Sequence, residues 1–201
     1  MNKRIAESSS GQAAGKGLYE WVQSLLSAVL IVVLTFTFFV RQIGVDGSSM
    51  FPTLHHGDRV LVLNDLWCGE YEAGDIVVLC KDSFIDSPII KRVIATGGQT
   101  VDIDFDLGRV YVDGECLDEP YIYELTTKNE GQSFPLTLEE GEVFVMGDNR
   151  LHSSDSRNPD LGAVDERYLI GKAILLIYPA EGDERFYEER DWSRIGSLNG
   201  R

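Results

Sequence analysis

Cysteine and histidine are scarce, three of each among 201 residues, and basic residues are outnumbered 18 to 33 by acidic ones. Cys68, Cys80 and Cys116 form no C-x-x-C pair and none of the spacings that hold zinc. No metal site and no cofactor is therefore expected. An odd number of cysteines cannot all pair within one chain, so one disulfide plus a free thiol and three reduced thiols both stay open. A formal charge of -15 does not suit phosphate binding, which needs a basic surface, and nucleic acid is excluded as a partner. The plainer effect of such a charge is to keep a domain soluble. Long apolar runs are missing too, with one exception.

That exception is Trp21 to Val40, WVQSLLSAVLIVVLTFTFFV, which contains no charged residue. As a helix it spans about 30 Å, the thickness of a bilayer's hydrocarbon core. Trp21 and Tyr19 suit the interfacial aromatic belt. A cleaved signal peptide has a shorter apolar stretch that ends in small residues. Here Phe38, Phe39, Val40 and then Arg41 close the run, and it reads as a permanent anchor. Ser8 to Gly17, rich in Ser, Gly and Ala, reads as flexible. Lys3, Arg4 and Lys16 precede the run against Glu7 and Glu20, so the positive-inside rule puts the N-terminus in the cytoplasm. All the net negative charge lies beyond Arg41. The expected organisation is a cytoplasmic segment at 1–17, an anchor at 18–40, an exported domain at 41–180 and a charged tail at 181–201. The tail reads as a solvated surface or a frayed end.

Beyond the anchor, short β-branched runs alternate with turn residues. Arg59–Leu63, Asp75–Leu79, Lys91–Ala95, Arg109–Val112, Glu142–Met146 and Ile170–Tyr178 read as strands. His56-Gly57-Asp58, Gly97-Gly98 and Asp113-Gly114 read as turns between them. The pattern predicts an all-β domain of largely antiparallel, barrel-like sheets behind one transmembrane helix.

Three segments hold polar residues that a plain strand does not need. In Val45–Leu54 (VDGSSMFPTL), Gly47, Ser48 and Ser49 form a tight stretch and Pro52 fixes the backbone beyond. A hydroxyl there can project while neighbouring N–H groups face a developing oxyanion; a linker leaving the bilayer has the same composition. In Ile89–Gly98 (IIKRVIATGG), a period of two puts Ile89, Lys91, Val93 and Ala95 on one face. A lysine buried among apolar neighbours loses basicity and becomes a usable base near neutral pH, whereas one that snorkels does not. Arg92 cannot take that part, because guanidinium does not deprotonate in proteins. In Met146–Arg157 (MGDNRLHSSDSR), Asp148, Asn149, Ser153, Asp155 and Arg157 can build supporting hydrogen bonds and an ion pair, or simply a polar loop. Of the histidines, His55 and His56 read as exposed turn residues. His152 is the one candidate for a Ser-His-Asp triad; a serine–lysine pair is the convergent alternative.

These segments, in this order behind one anchor, resemble the bacterial type I signal peptidases (leader peptidases) in their compact single-anchor form. The resemblance rests on Ser49-Met50-Phe51-Pro52-Thr53-Leu54, on Lys91-Arg92-Val93-Ile94, and on Gly147-Asp148-Asn149-Arg150 continuing through Ser153 and Asp155-Ser156-Arg157. It implies Ser49 as nucleophile, Lys91 as general base and Ser153 as a hydrogen-bond partner that orients the lysine amine. Asp148, Asp155 and Arg157 become structural supports. Val45, Met50, Leu54, Ile89 and Ile90 fall where shallow pockets for small side chains form. The implied partners are signal-peptide-bearing preproteins, cleaved after Ala-x-Ala sites, and the lipid bilayer of the plasma membrane. Contact with the translocation machinery is left open. One departure stands out: some members carry a hydroxyl residue two places before the nucleophile, where this chain has Gly47, so backbone N–H groups must serve the oxyanion. A membrane-tethered assembly factor on the same fold is the alternative from another class.

Overall fold

The computed structural model describes residues 2–181 and 190–198, with side chains from residue 17 onward. It falls into two compact units, Met1–Val40 and Arg41–Arg201. The first is the helix α1 (Asn2–Phe38), whose stretch Gly17–Phe38 is long and apolar enough to cross a membrane. Three hydroxyls of that stretch are satisfied within the helix. The hydroxyls of Ser24, Thr35 and Thr37 donate to the carbonyls of Glu20, Ile31 and Val33 at 2.7–2.9 Å, as an apolar surrounding demands. One expectation is corrected here. Ser8 to Gly17, read as flexible, is helical, because extending an existing helix is far easier than nucleating one. The helix ends at Phe38, and Val40 opens the first strand.

The second unit is β, in runs close to those its sequence suggests. The strands are β1 (Val40–Gly44), β2 (Arg59–Asn64), β3 (Ile76–Leu79), β4 (Ile89–Thr96), β5 (Thr100–Asp104) and β6 (Arg109–Val112). They continue with β7 (Glu115–Cys116), β8 (Leu136–Thr137), β9 (Glu142–Met146), β10 (Val164–Asp165), β11 (Leu169–Tyr178) and β12 (Gly196–Ser197). One sheet runs β1-β2-β11-β3-β4-β9-β10 with β12 added on β11, and a second runs β7-β6-β5-β8. The registered pairings are all antiparallel. Asp113 and Gly114, both at positive φ (53° and 83°), make the two-residue turn from β6 to β7, the left-handed pair that matches strand twist in a tight hairpin.

Bulges curl the larger sheet. At one of them Gly171 lies so close to β2 that a Cβ would sit 1.9 Å from the Leu63 carbonyl oxygen. Another falls in β4 between Val93 and Ala95. Before it the alternation holds, with Ile89 and Val93 packing into one core cluster and Ile90 into another. After it Ile94 and Ala95 both join a third cluster, which seats the second sheet through Val101, Ile103, Val110 and Val112 against Phe144 and Met146. Ala95 therefore does not share the face of Lys91; an extra residue in a strand breaks the period of two. Burial of each such Val, Ile or Phe contributes about 1.5–3 kcal/mol.

The tail is corrected as well. Residues 182–189 and 199–201 lie outside the described residues. Gly196–Ser197, however, pairs with β11, and Leu198 is buried in the core with Val45, Met50 and Leu54. A charged composition concealed one apolar residue with a place to go. The three cysteines are free thiols.

Candidate active site

Ser49 lies in the turn-rich segment between β1 and β2. Met50 and Leu54, wholly buried, pin that segment to the core beneath it. Its backbone is held from the other side by Asn149, whose N–H donates to the Ser49 carbonyl (3.0 Å) and whose side-chain amide donates to the Ser48 carbonyl (3.1 Å). Gly147 lies flush against it: a Cβ there would meet the Ser153 Oγ at 2.3 Å and the Ser49 carbonyl oxygen at 2.4 Å.

Lys91 comes from β4, opposite Val77 of β3, and is 4% exposed. Its Nζ donates to the Ser49 Oγ at 2.8 Å. Burial is the main cause that lowers its pKa, to about 8. Asp155 opposes that shift, Arg157 adds to it, and Glu130 and Asp148 oppose it more weakly. An amine so placed is in part neutral at physiological pH, within reach of a hydroxyl proton.

The supports are two buried forks. Arg157 grips Asp155 through Nε to Oδ1 and a terminal nitrogen to Oδ2, both 2.8 Å, and the Gly147 N–H donates to the same carboxylate at 2.9 Å. Burial pushes the Asp155 carboxyl up, but those donors outweigh it and hold it below the usual carboxylate range. Arg92, next to the lysine and pointing the other way, grips Asp148 at 2.8 and 2.7 Å. Asp148 in turn accepts from the Thr53 hydroxyl at 2.5 Å, which ties the Ser49 segment to β4. Arg92 also donates to the Gly74 carbonyl and lies 4.0 Å from the centre of the Tyr121 ring. The sequence singled out Asp148 but missed Arg92 and Thr53 as its partners. Their signal was position: Arg92 adjoins the lysine and Thr53 lies within the serine motif.

Ser153 is buried beside Gly147, where its hydroxyl helps to hold the Asp155 carboxyl down; the expected bond to the lysine amine is not formed in this structure. Val45, Met50, Leu54 and Ile90 come together in one cluster, at most 7% exposed, while Ile89 packs half-buried in another. His152 is exposed, with Nδ1 3.2 Å from the Asn149 side-chain oxygen, and Ser49 is engaged by the lysine instead. His55, expected in an exposed turn, is half-buried against Phe51 (5.2 Å between ring centres), and burial lowers its pKa. The Gly47 N–H is directed to the His56 Nδ1 at 3.1 Å. No group of His, Cys, Asp and Glu suited to a metal ion occurs among the described residues.

The site sets a serine hydroxyl against a buried amine on a scaffold of antiparallel strands, and the family it falls in makes the class a serine endopeptidase. The family model described as "Signal peptidase, peptidase S26" matches residues 18–178, and the chain belongs to that family. It is 36% identical over 170 residues to signal peptidase I of Bacillus licheniformis, covering 81% of this chain and 89% of that protein. With signal peptidase I S of Bacillus subtilis strain 168 it shares 35% identity over 173 residues, 82% of this chain and 91% of the other. A solved signal peptidase I from Enterococcus faecalis V583 aligns with a TM-score of 0.42 and 28% identity, over 51% of this chain and 96% of that one. The activity that follows from the family is removal of signal peptides by a serine protease.

Proposed function

We propose that Ser49 and Lys91 are the nucleophile and general base of a membrane-anchored signal peptidase that cuts exported preproteins after Ala-x-Ala sites. In this reading residues 1–17 are cytoplasmic, 18–40 cross the plasma membrane once, and residues 41 onward work on its outer face, where preproteins leave the translocation machinery. The observation that carries the reading is the 2.8 Å contact between the Lys91 Nζ and the Ser49 Oγ inside a buried site.

Neutral Lys91 accepts the Ser49 proton as Oγ attacks the scissile carbonyl. Backbone N–H groups of the serine turn stabilise the oxyanion, with that of Ser49 the natural donor because that of Gly47 points to His56. The lysine then gives its proton to the leaving amine, the new N-terminus of the mature protein, and the signal peptide remains as an ester on Ser49. Water attacks that ester with Lys91 again as base, and the serine regains its proton. With a pKa of about 8, roughly a tenth of the lysine is neutral at pH 7.

The test is cleavage of a preprotein with an Ala-x-Ala site by the detergent-solubilised chain, wild type beside Ser49→Ala. Cleavage by the wild type alone is expected. Equal cleavage by both would show the nucleophile to be another group, and no cleavage by either folded protein would favour the assembly-factor alternative.

A further inference from the structure

The family match stops at residue 178, yet the chain beyond it turns back to the segment that carries Ser49. Pairing of Gly196 with Leu176 and of Ser197 with Leu175 anchors the return, and the Leu198 N–H donates to the Ile174 carbonyl at 3.1 Å. Leu198 thereby packs with Met50 and Leu54, and Arg194 is brought against Asp58.

Asp58 is wholly buried and closes the serine segment at its far end. Its carboxylate accepts from the His55 and Ala180 N–H groups, both at 2.8 Å, and its carbonyl accepts from the Val45 N–H at 2.8 Å. Arg194 supplies the cation. One terminal nitrogen lies 2.6 Å from Oδ2 and the other 3.2 Å from Oδ1. The first also donates to the Thr53 carbonyl at 3.3 Å. One guanidinium thus spans the end of the serine segment and the residue whose hydroxyl is held by Asp148.

We propose that Arg194 is a positioning residue for the nucleophile: through Asp58 and the Thr53 carbonyl it fixes the segment that holds Ser49 against Lys91. The inference rests on the reading of Ser49 as nucleophile. A buried carboxylate that loses its cation draws in water or shifts its chain, and a displacement of about 1 Å at a reacting atom can lower the rate about 100-fold. Arg194 acts on the geometry of the hydroxyl rather than on substrate affinity, so its loss lowers kcat and leaves KM.

The experiment uses the full chain in detergent and the variants Arg194→Met, Arg194→Lys, Asp58→Asn and the Arg194→Met/Asp58→Asn double, with wild type and Ser49→Ala alongside. It reads kcat and KM on an Ala-x-Ala preprotein, the rate of Ser49 labelling by a small serine-directed acylating reagent, and the near-ultraviolet dichroism of the fold. Arg194→Met is expected to lower kcat and labelling together by about 30–100-fold with KM within threefold. Arg194→Lys recovers part of both, and the double variant is no more than threefold worse than Asp58→Asn alone. Rates within threefold of wild type in folded Arg194→Met, a change in KM alone, or losses that multiply in the double variant would overturn the proposal. If Arg194→Met does not fold, Arg194→Lys decides: a several-fold fall in both rates at wild-type dichroism supports the role, and unchanged rates overturn it. A wild type that is not labelled at Ser49 refutes the nucleophile itself, a result distinct from any difference among the variants, and the role of Arg194 falls with it.

Discussion

Lys91 spends its side chain inside the protein, where its charged form is disfavoured, and that is what fits it for the base role proposed above. Its pKa of about 8 sets the acid limb of the reaction: kcat/KM for an Ala-x-Ala substrate is expected to rise with pH, tenfold per unit, and level off near pH 8. A profile already flat at pH 6 would separate the lysine from the proton transfer. The same shift acts on stability. Between about pH 8 and 10 the unfolded lysine holds a proton that the folded one has lost, so this group makes the protein more stable as pH rises through that window. Below it the full cost of burying the ammonium remains. Lys91→Met therefore abolishes cleavage but raises the unfolding midpoint, more at pH 7 than at pH 10, which thermal unfolding at the two pH values measures. At Gly147 the constraint is space alone. A methyl group would meet the Ser49 carbonyl oxygen at 2.4 Å and the buried Ser153 at 2.3 Å, and the carbonyl cannot yield without moving Ser49. Gly147→Ala is expected to keep its fold while kcat falls about 100-fold; full activity would show that the turn is softer than its contacts imply.

Strand β4 does two jobs with adjacent residues, because neighbouring side chains of a strand face opposite ways. Lys91 reaches Ser49 on one side, while Arg92 on the other grips Asp148, which holds Thr53. Asp148→Ala would leave the Arg92 guanidinium buried without its carboxylate, a change that costs about 3–5 kcal/mol. Denaturant unfolding should show that loss, and a variant within about 1 kcal/mol of wild type would mean the pair contributes little. Much of this element was legible in advance. β-branched runs and Gly-rich turns marked the strands, while the lysine among apolar neighbours left burial and snorkelling both open until its pairing within the sheet was known. What the sequence hid was long-range. Ile89 and Ile90 belong to β4 because they pair with Leu79 and Val78, the bulge after Val93 follows from the partner strand β9, and Ser153 packs against Gly147 without reaching the lysine. The pocket candidates were placed beside Ser49 by motif, and four of them share a cluster with Leu198, far along the chain. Arg194 was invisible for the same reason: a charged tail reads as solvent-facing until its register with β11 is known.

At the scale of the molecule, charge divides across the apolar stretch in the way the proposed orientation requires. The basic residues Lys3, Arg4 and Lys16 precede the apolar stretch of the helix, while all the net negative charge is carried beyond Arg41. A membrane potential negative inside favours that arrangement by about 2.3 kcal/mol per charge per 100 mV. The protein carries its own reporter for the result. Its three cysteines all lie beyond the helix as free thiols, and Cys116 is the exposed one. It sits at the β6–β7 hairpin of the second sheet, whereas Ser49 lies between β1 and β2, so a label there spares the dyad. Protoplasts treated with a membrane-impermeant maleimide should be labelled without lysis, and Cys116→Ser should remove most of that label while cleavage of an Ala-x-Ala preprotein continues. Labelling that appears only after lysis would place the catalytic unit in the cytoplasm. There it would meet preproteins before export, and the positive-inside reading of the anchor would be wrong even with every contact of the dyad intact.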